Sequence, residues 1–454
     1  MAQELSTIAA FRYGLGFARG APDVTRPGQL VDQVRGPDAL AEVFPTADFA
    51  SRVEIIKTHT RLRSMQKRKD PDFDRQAFRK ARRARVLVRL QDTRQLFQRA
   101  LFSPNSFRER LAFFWADHFT VVPKSQYEQV VWGDYITNGI RAHVGGSFAD
   151  LLIAAVTHPS MLMYLDQVRS VGPNSPIGQR RKVGLNENLA REILELHTLG
   201  VGGAYRQADV RQLAELLTGL RVGDEGRTFV PRRAEPGAEE VLGRTYGGRR
   251  ARIEDIEAFL RDVAVHPDTA RHIALKLAVH FVDDTPDPDL VGAMAETFRD
   301  TGGDLPSVYG AMLDHPAGWA PLGDKAKQPL DFMVSGLRAL GVAPDQVAAL
   351  TANQANRQLA QPLAAMGQPL RDAPGPNGWP EEAEAWITAQ GLAARLQWSL
   401  LQAQRFGEDL DPREFVTFAL RELAGDTLRR AVAGAEDRAE GLTLVLASPE
   451  FNRR

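Results

Sequence analysis

Apolar residues recur at every third or fourth position along most of this chain, with polar residues between them. The pattern runs over about 74 to 119, 127 to 168, 186 to 220, 251 to 298, 325 to 341 and 381 to 448. Such spacing places the apolar side chains on one face of an α-helix. The apolar–polar alternation of a strand is nearly absent. The sequence therefore predicts an all-α, mainly helical protein with two helical lobes.

Residues 221–250 interrupt the helical pattern with glycine and proline, and they predict a short β-hairpin insert. The insert divides the chain into an N-terminal helical lobe at 1–222, a hairpin or linker at 223–250 and a C-terminal helical lobe at 251–454. The N-terminal lobe ends with a segment at 186–220 that we call the signature helix. We expect the three parts to form one compact unit.

Three His-Pro pairs, at 158–159, 266–267 and 315–316, each follow an apolar helical run. Proline is favoured in the first turn of a helix, and the residue before it is pushed out of helical geometry. The pairs therefore predict helix boundaries rather than metal ligands.

Composition narrows the classes of function. The chain has 454 residues, with 57 Lys and Arg against 57 Asp and Glu, so its formal net charge is zero and no global field favours nucleic acid or an anionic membrane. The absence of cysteine excludes disulfides, thiolate metal sites and cysteine nucleophiles. Neither a membrane span nor a signal peptide is visible. We expect a soluble, cytoplasmic protein; the alternative is a periplasmic location reached by co-export with a partner.

The signature helix carries the densest set of polar residues. On a helical wheel of about 100° per residue, Glu187, Arg191 and Glu195 fall on one line, with Glu192 beside them. His197 falls on the opposite, apolar side. We therefore expect His197 to face the core.

Two interpretations of this polar stripe stay open. It is either a ladder of surface ion pairs, each contributing a few tenths of a kcal/mol, or an inward network in which Arg191 orients carboxylates for acid–base chemistry. Glu192 and Glu195 share a face at i, i+3 spacing and are the candidate ligands for a divalent cation.

Other candidates lie outside this stripe. His118 follows an aromatic run and is either a hydrogen-bonded core histidine or a base at a pocket wall. Asp166 ends an apolar run and either caps the next loop or reaches a site, and Asp209 completes the candidate set. Asp117 is expected to pair with Arg110.

A second polar stripe, His272, Lys276 and His280, repeats at four-residue spacing on one helix face. Such a stripe is either an anion site or a solvent-exposed face. The exposed face is the preferred interpretation.

Several segments resemble the bacterial family known as domain of unknown function 1800. The similar segments are RYGLGF (12–17), FWADHF (114–119), MLMYLD (161–166), NENLAREILELHTLGV (186–201), KAKQPLDFMVSGLRALG (325–341), NGWP (377–380) and ASPEFNRR (447–454). The resemblance implies no activity. It implies export in many members and a companion from the sulfatase-like domain of unknown function 1501 family, which is the expected partner.

The chain departs from the pattern of that family at several places, including Leu189, where Tyr is commoner, and Leu220, where Trp is commoner. Ala116-Asp117-His118 stands where the family usually has His-Asn-His, and Ala234-Glu235-Pro236-Gly237 stands where it often has His-Asp-Pro-Gly. If those histidines serve a site elsewhere in the family, this chain is a diverged or inactive branch.

Two hypotheses about function therefore stand side by side, and whether the protein is an enzyme stays open. The first is a hydrolase-like or ligand- and cation-binding pocket built on the polar helix at 186–199, with the candidate residues His118, Asp166, Glu187, Arg191, Glu192, Glu195 and Asp209. The second is a non-catalytic accessory or assembly protein in which the polar stripe is a buried structural network.

Overall fold

The computed structural model describes residues 2–181, 184–323 and 325–454, and within them the chain is mainly helical, as the apolar spacing predicts. The α-helices before the hairpin insert are α1 (Ala2–Ile8), α2 (Gly28–Arg35), α3 (Phe49–Arg68), α4 (Arg75–Phe102), α5 (Ser106–His118), α6 (Gln126–Asp134), α7 (Phe148–Val156), α8 (Pro159–Tyr164), α9 (Pro176–Arg181), α10 (Asn188–Glu192) and α11 (Gln207–Leu216).

The insert between the helical halves contains two antiparallel hairpins where the sequence predicted one. Strand β1 (Leu220–Val222) pairs with β2 (Arg227–Phe229), and β3 (Gly237–Val241) pairs with β4 (Arg244–Gly248). Leu242 and Gly243 connect the second pair, both with positive φ (53° and 73°). Two such residues form the tight turn that matches the twist of a hairpin.

The α-helices after the insert are α12 (Ile253–Ala264), α13 (Pro267–Phe281), α14 (Pro288–Asp300), α15 (Leu305–Asp314), α16 (Pro329–Ala339), α17 (Pro344–Ala348), α18 (Ala352–Ala355), α19 (Gln361–Ala365), α20 (Ala383–Trp386), α21 (Ala389–Phe406), α22 (Pro412–Leu420), α23 (Asp426–Ala433), α24 (Arg438–Ala447) and α25 (Pro449–Asn452). No helix of the described ranges combines the length and the apolar content that a membrane crossing requires.

The three His-Pro pairs begin helical segments, which confirms their interpretation as boundaries. His158, His266 and His315 are N-caps, and the Nδ1 atom of each accepts a hydrogen bond from a backbone N–H in the first turn, at 3.1 to 3.2 Å. Such a cap satisfies a donor that has no partner within the helix.

Two large apolar clusters form the core. The first runs from Ala9 to Leu313 and joins helices on both sides of the hairpins, for example α5, α7, α13 and α15. The second joins Phe11 and Phe97 to residues of α16, α21, α22 and α24. Helices α5 and α16 therefore bring residues of the two clusters close together, and the pocket described below lies there.

Candidate functional site

The stripe of the signature helix is a partly exposed ion-pair ladder. Arg191 Nη1 lies 3.0 Å from Glu195 Oε1, and Arg191 Nη2 lies 3.5 Å from Glu187 Oε2. The three side chains are 39%, 25% and 35% exposed in that order. Gln207 joins them, because its amide accepts from Arg191 at 3.0 Å and donates to Glu187 at 2.9 Å. Paired in this way, the stripe matches the surface-ladder interpretation.

Glu192 and Glu195 lie where the backbone changes its helix type. Helix α10 ends at Glu192, and Ile193–His197 continue as a π-helix, so a wheel of 100° per residue does not apply there. Burial, and then the charge of Glu195, raise the pKa of Glu192. Throughout the described ranges, no group of three or more His, Cys, Asp or Glu side chains is arranged to hold a metal ion. A cation at these two glutamates stays a prediction.

Asp166 and Asp209 occupy structural positions. Asp166 has φ 57° and pairs with Arg169 at 3.4 Å, at the start of a 3-10 turn. The Asp209 carboxylate accepts hydrogen bonds of 2.8 Å from the backbone N–H groups of Arg206 and Leu242. It thereby caps α11 and attaches that helix to the second hairpin.

His118 and His272 complete the hydrogen bonding of the π-helix. A π-helix ends with carbonyl groups that lack intrahelical partners. His118 Nε2 donates to the carbonyl of His197 at 3.2 Å, and His272 Nε2 donates to that of Leu196 at 3.0 Å. Since a carbonyl only accepts, each Nε2 carries a proton. Burial, and then Lys276, hold the pKa of His118 well below its usual range, so its ring is neutral.

His197 faces the core, as the sequence predicted, although the constant angle of the wheel does not hold in the π-helix that contains it. It is 1% exposed, and burial lowers its pKa to about 3. Its ring centroid lies 6.0 Å from that of His118. His118 therefore lies with the aromatic core, as the core-histidine interpretation requires.

The stripe on α13 turns inward, so its interpretation as an exposed face is wrong. His280 is 5% exposed, and Lys276 and His272 are only partly exposed. Burial lowers the pKa of Lys276, although Asp117 and Glu381 act in the opposite direction. The sequence shows that these residues share a face, but not that α5 covers the face.

A pocket of about 120 Å³ opens beside α5, between α16 and the segment 368–379. Its wall is mostly apolar, which is typical of small-molecule sites. The apolar wall includes Leu96, Phe113, Ala116, Val121, Trp132, Ile136, Leu330, Leu363, Leu370 and Trp379; the polar groups are Asp117, Thr120, His280, Gln328, Asp331, Gln368, Arg371 and Asp372.

Asp117 is the carboxyl group that α5 supplies to this pocket; the other two, Asp331 and Asp372, come from α16 and the segment 368–379. Asp117 Oδ1 accepts a hydrogen bond of 2.9 Å from the backbone N–H of Trp379, and no ion pair joins it to Arg110, contrary to the expectation from the sequence. Burial raises the pKa of Asp117 to about 7, with the Trp379 hydrogen bond opposing the rise. A carboxyl group with such a pKa exchanges protons near neutral pH.

Gly378 allows the loop to approach this carboxyl group. Its φ is +81°, and a Cβ at this position would lie 2.6 Å from Asp117 Oδ2. Both the backbone conformation and the space therefore require glycine. Asp117 was missed as a site residue because its environment comes from a loop about 260 positions away.

A buried ionic network lies behind one side of the pocket, and its members Asp331 and His280 line the wall. Asp331 pairs with Arg110 at 3.1 Å and with Arg454 at 2.8 Å. Arg454 continues to Glu381 at 3.3 Å, and Glu381 lies 2.5 Å from His280 Nδ1. Because these charges are buried away from water, the ionised form of each group is stabilised mainly by its partners in the network.

His280 is neutral within this network. Its Nε2 faces Arg110 Nη2 at 3.3 Å, and a guanidinium only donates, so Nε2 accepts and Nδ1–H donates to Glu381. Burial lowers the pKa of His280 to about 4. Although burial opposes ionisation of Glu381, His280, Arg454 and Lys325 hold its pKa well below the usual range. Both ring nitrogens of His280 are therefore occupied.

Comparison with known families and proteins gives one match. The family model described as Protein of unknown function (DUF1800) matches residues 16–453. No curated protein and no solved structure gives a significant match. The pocket lies where four of the segments that carry the resemblance meet: 114–119, 325–341, 377–380 and 447–454.

Proposed function

Since the chain belongs to the DUF1800 family, whose description names no activity, we propose from the site itself that the pocket binds a small, uncharged, largely apolar molecule with one hydrogen-bonding group. That group would bind at Asp117. The observation that supports this proposal is a carboxyl group facing an apolar pocket without a cation bonded to it.

The dimensions and charges of the pocket define the ligand class. An enclosed apolar cavity of about 150 Å³ holds a molecule the size of benzene. This pocket, at about 120 Å³, is smaller, so a ring with one hydroxyl group would extend in part into its open mouth. When protonated, Asp117 donates to an oxygen of the ligand; when ionised, it accepts from an N–H or O–H. Lys276 lies near Asp117, and Arg371 lines the wall, so an organic cation is disfavoured.

Chemistry beyond binding rests on Asp117 alone in this proposal. A carboxyl group that exchanges protons near neutral pH serves as a general acid or base when a reacting group is held against it. His280 does not serve as a second base, because both its ring nitrogens are occupied. Hydrolysis stays a prediction.

A second candidate function has its own supporting observation. The network of Arg110, Asp331, Arg454, Glu381 and His280 is buried, and each member has a partner. A buried network of this kind supports an accessory protein whose polar groups join the segments of the fold. Its residues differ from those of the alternative drawn from the sequence, which placed the network at the partly exposed stripe of 186–199.

Binding of small probes tests the proposal. Phenol, benzyl alcohol, toluene and benzylamine are titrated while tryptophan fluorescence and thermal stability are measured, since Trp132 and Trp379 line the pocket. We expect phenol or benzyl alcohol to bind more tightly than toluene, and benzylamine to bind weakest. Ala116→Leu, which fills the pocket, should abolish binding.

Ala431→Leu is the matched control, because Ala431 is an exposed residue of α23. It should bind the probes as the unmodified chain does. If no probe binds, or if Ala116→Leu binds as tightly as Ala431→Leu, the pocket proposal is wrong and the accessory-protein alternative is favoured.

Compartment and partner are proposals that rest on the sequence. We propose a cytoplasmic location, with co-export to the periplasm as the alternative, and a protein of the domain of unknown function 1501 family as the partner. Fractionation of cells that contain a tagged copy decides the first. Co-purification of the two proteins expressed together tests the second, and separate elution in a binding assay would contradict it.

A further inference from the structure

Helix α21 exposes an unusual amount of apolar surface. Leu392, Leu396, Leu400 and Leu401 are 41%, 53%, 39% and 54% exposed, and Ile387 just before the helix is 42% exposed. Among the described residues these are five of eleven exposed large hydrophobic side chains, all within fifteen positions. Single exposed leucines are ordinary, but an apolar patch on a soluble surface marks an interaction site.

We propose that the face formed by Leu392, Leu396 and Leu400, which we call the leucine face, is a contact between two copies of the chain, arranged antiparallel about a two-fold axis near Leu396. Leu401 lies about 140° around the helix from Leu396 and is outside this face. An isologous contact requires a surface that is complementary to itself. The order of residues along α21 meets this requirement in three ways.

Leucines match leucines under the two-fold axis. Leu392 and Leu400 lie at equal distances in sequence from Leu396. In an antiparallel pair centred at Leu396, Leu392 of one copy therefore packs against Leu400 of the second copy. Leu396 packs against its own equivalent.

Glutamines border the leucines with the same symmetry. Gln390, Gln397 and Gln404 are exposed and seven residues apart, which places them along one line of the helix. Antiparallel pairing brings Gln390 beside Gln404 of the second copy and Gln397 beside its equivalent. Because a glutamine amide both donates and accepts, two identical amides can bond to each other.

Charge excludes the other orientation and other classes of partner. Between Glu384 and Arg405 the exposed face of this segment has no charged residue, because Arg395 is buried and bonded to Asn452. Parallel pairing would place Arg405 beside its equivalent. A membrane-surface helix carries lysine and arginine on its polar face, and nucleic acid requires a basic face; α21 has neither.

The contact area predicts a reversible dimer. Eighteen helical residues extend for about 27 Å at 1.5 Å per residue, and a single helix pair of this length buries less than the ~800 Å² per partner of a standard interface. We therefore expect association at micromolar concentrations.

Sedimentation equilibrium of the whole chain over about 1 to 200 µM tests the proposal. The mass should rise from 50.1 kDa toward twice that value. Leu396→Glu should keep the chain monomeric, with at least a tenfold increase in dissociation constant. Leu87→Glu is the matched control, since Leu87 on α4 is 46% exposed and lies outside the leucine face; it should dimerise normally.

Cross-linking supplies a second measurement that needs no charge substitution. The chain has no cysteine, so Leu396→Cys introduces a single thiol near the two-fold axis. Under oxidising conditions L396C should form a disulfide-linked dimer, and L87C should not. A monomer at 200 µM, or equal cross-linking of L396C and L87C, overturns the proposal. Binding of monomeric protein to lipid vesicles through Leu396 would also overturn it.

Discussion

The backbone N–H of Trp379 donates a hydrogen bond of 2.9 Å to Oδ1 of Asp117. The loop that carries Trp379 thereby covers a carboxyl group on α5 with backbone rather than with a cation. Because the hydrogen bond of Trp379 and the nearby Lys276 do not offset the loss of water, the pKa of Asp117 rises to about 7. This relationship connects the local sequence of α5 to a loop that follows α19.

Replacing Asp117 with asparagine should remove a pH dependence of stability. The folded chain binds the Asp117 proton more tightly than the unfolded chain, so this group contributes stability that is fully present below about pH 4 and lost as pH rises through 7. Asparagine keeps the acceptor for Trp379 and has no charge to bury. We expect Asp117→Asn to be more stable than the unmodified chain by about 1–3 kcal/mol near pH 8, and the difference to fade toward pH 4.

Urea unfolding at several pH values measures this effect. Asp409→Asn, at an exposed position, is the control and should leave the pH profile unchanged. An Asp117→Asn variant whose stability differs from that of the unmodified chain by the same amount at all pH values would show that folding does not shift the pKa of Asp117.

Replacing Gly378 with alanine should destabilise the chain by about 2–4 kcal/mol, because strain at a positive φ adds to overpacking. The added Cβ would lie 2.6 Å from the Asp117 carboxyl group. Gly292→Ala is the control, since its Cβ would meet open space in the interior of α14; it should stabilise by about 0.5–1 kcal/mol. Chemical denaturation measures both, and effects of the same sign would contradict the geometry.

Replacing Arg454 with methionine should cost about 3–5 kcal/mol, because it removes a buried cation that pairs with two carboxylates at once and leaves each with fewer partners. The Arg454 side chain is 0% exposed and pairs with Asp331 and Glu381. Arg430→Met, at an exposed position of α23, should change the free energy of unfolding by less than about 0.5 kcal/mol. Equal losses in the two variants would refute the assignment of Arg454 to the network.

Two substitutions distinguish a hydrogen-bonding role of His118 from a role in acid–base chemistry. His118→Phe removes the donor to the His197 carbonyl and should destabilise the chain by about 1–3 kcal/mol. Glutamine places an N–H donor near the former Nε2, so His118→Gln should recover part of that loss. Thermal and urea unfolding measure the difference; identical losses would mean that the hydrogen bond contributes nothing.

Replacing Arg191 with alanine should cost only about 0.5 kcal/mol, because its ion pairs with Glu187 and Glu195 are partly exposed. Raising the salt concentration should reduce even this loss, since salt screens exposed pairs. If the free energy of unfolding falls by more than about 2 kcal/mol, or if the probes no longer bind in the pocket, Glu187, Arg191 and Glu195 would again be candidates for the functional site.

Features that depend on neighbouring positions were predicted correctly from the sequence. The helical period, the His-Pro boundaries and the inward side chain of His197 all follow from spacing within one segment. The sequence correctly predicted a hairpin insert but gave one hairpin where two are present. Glycine and proline show where the chain turns, but they do not show how many strands lie between the turns. The π-helix at Ile193–His197 was missed, since a wheel assumes a constant angle per residue.

By itself the sequence determined the class of fold, the i, i+4 alignment of Glu187, Arg191 and Glu195, and the resemblance to a family, because each depends on local order along the chain. The choice between an exposed ladder and an inward network depended on the exposure of these side chains in the folded chain. Only the tertiary structure decided that Lys276 and His280 face inward and that Asp117 lies in a pocket. A residue's burial and pKa are set by what packs against it, and here α5, α13, the Trp379 loop and Arg454 meet from distant parts of the chain.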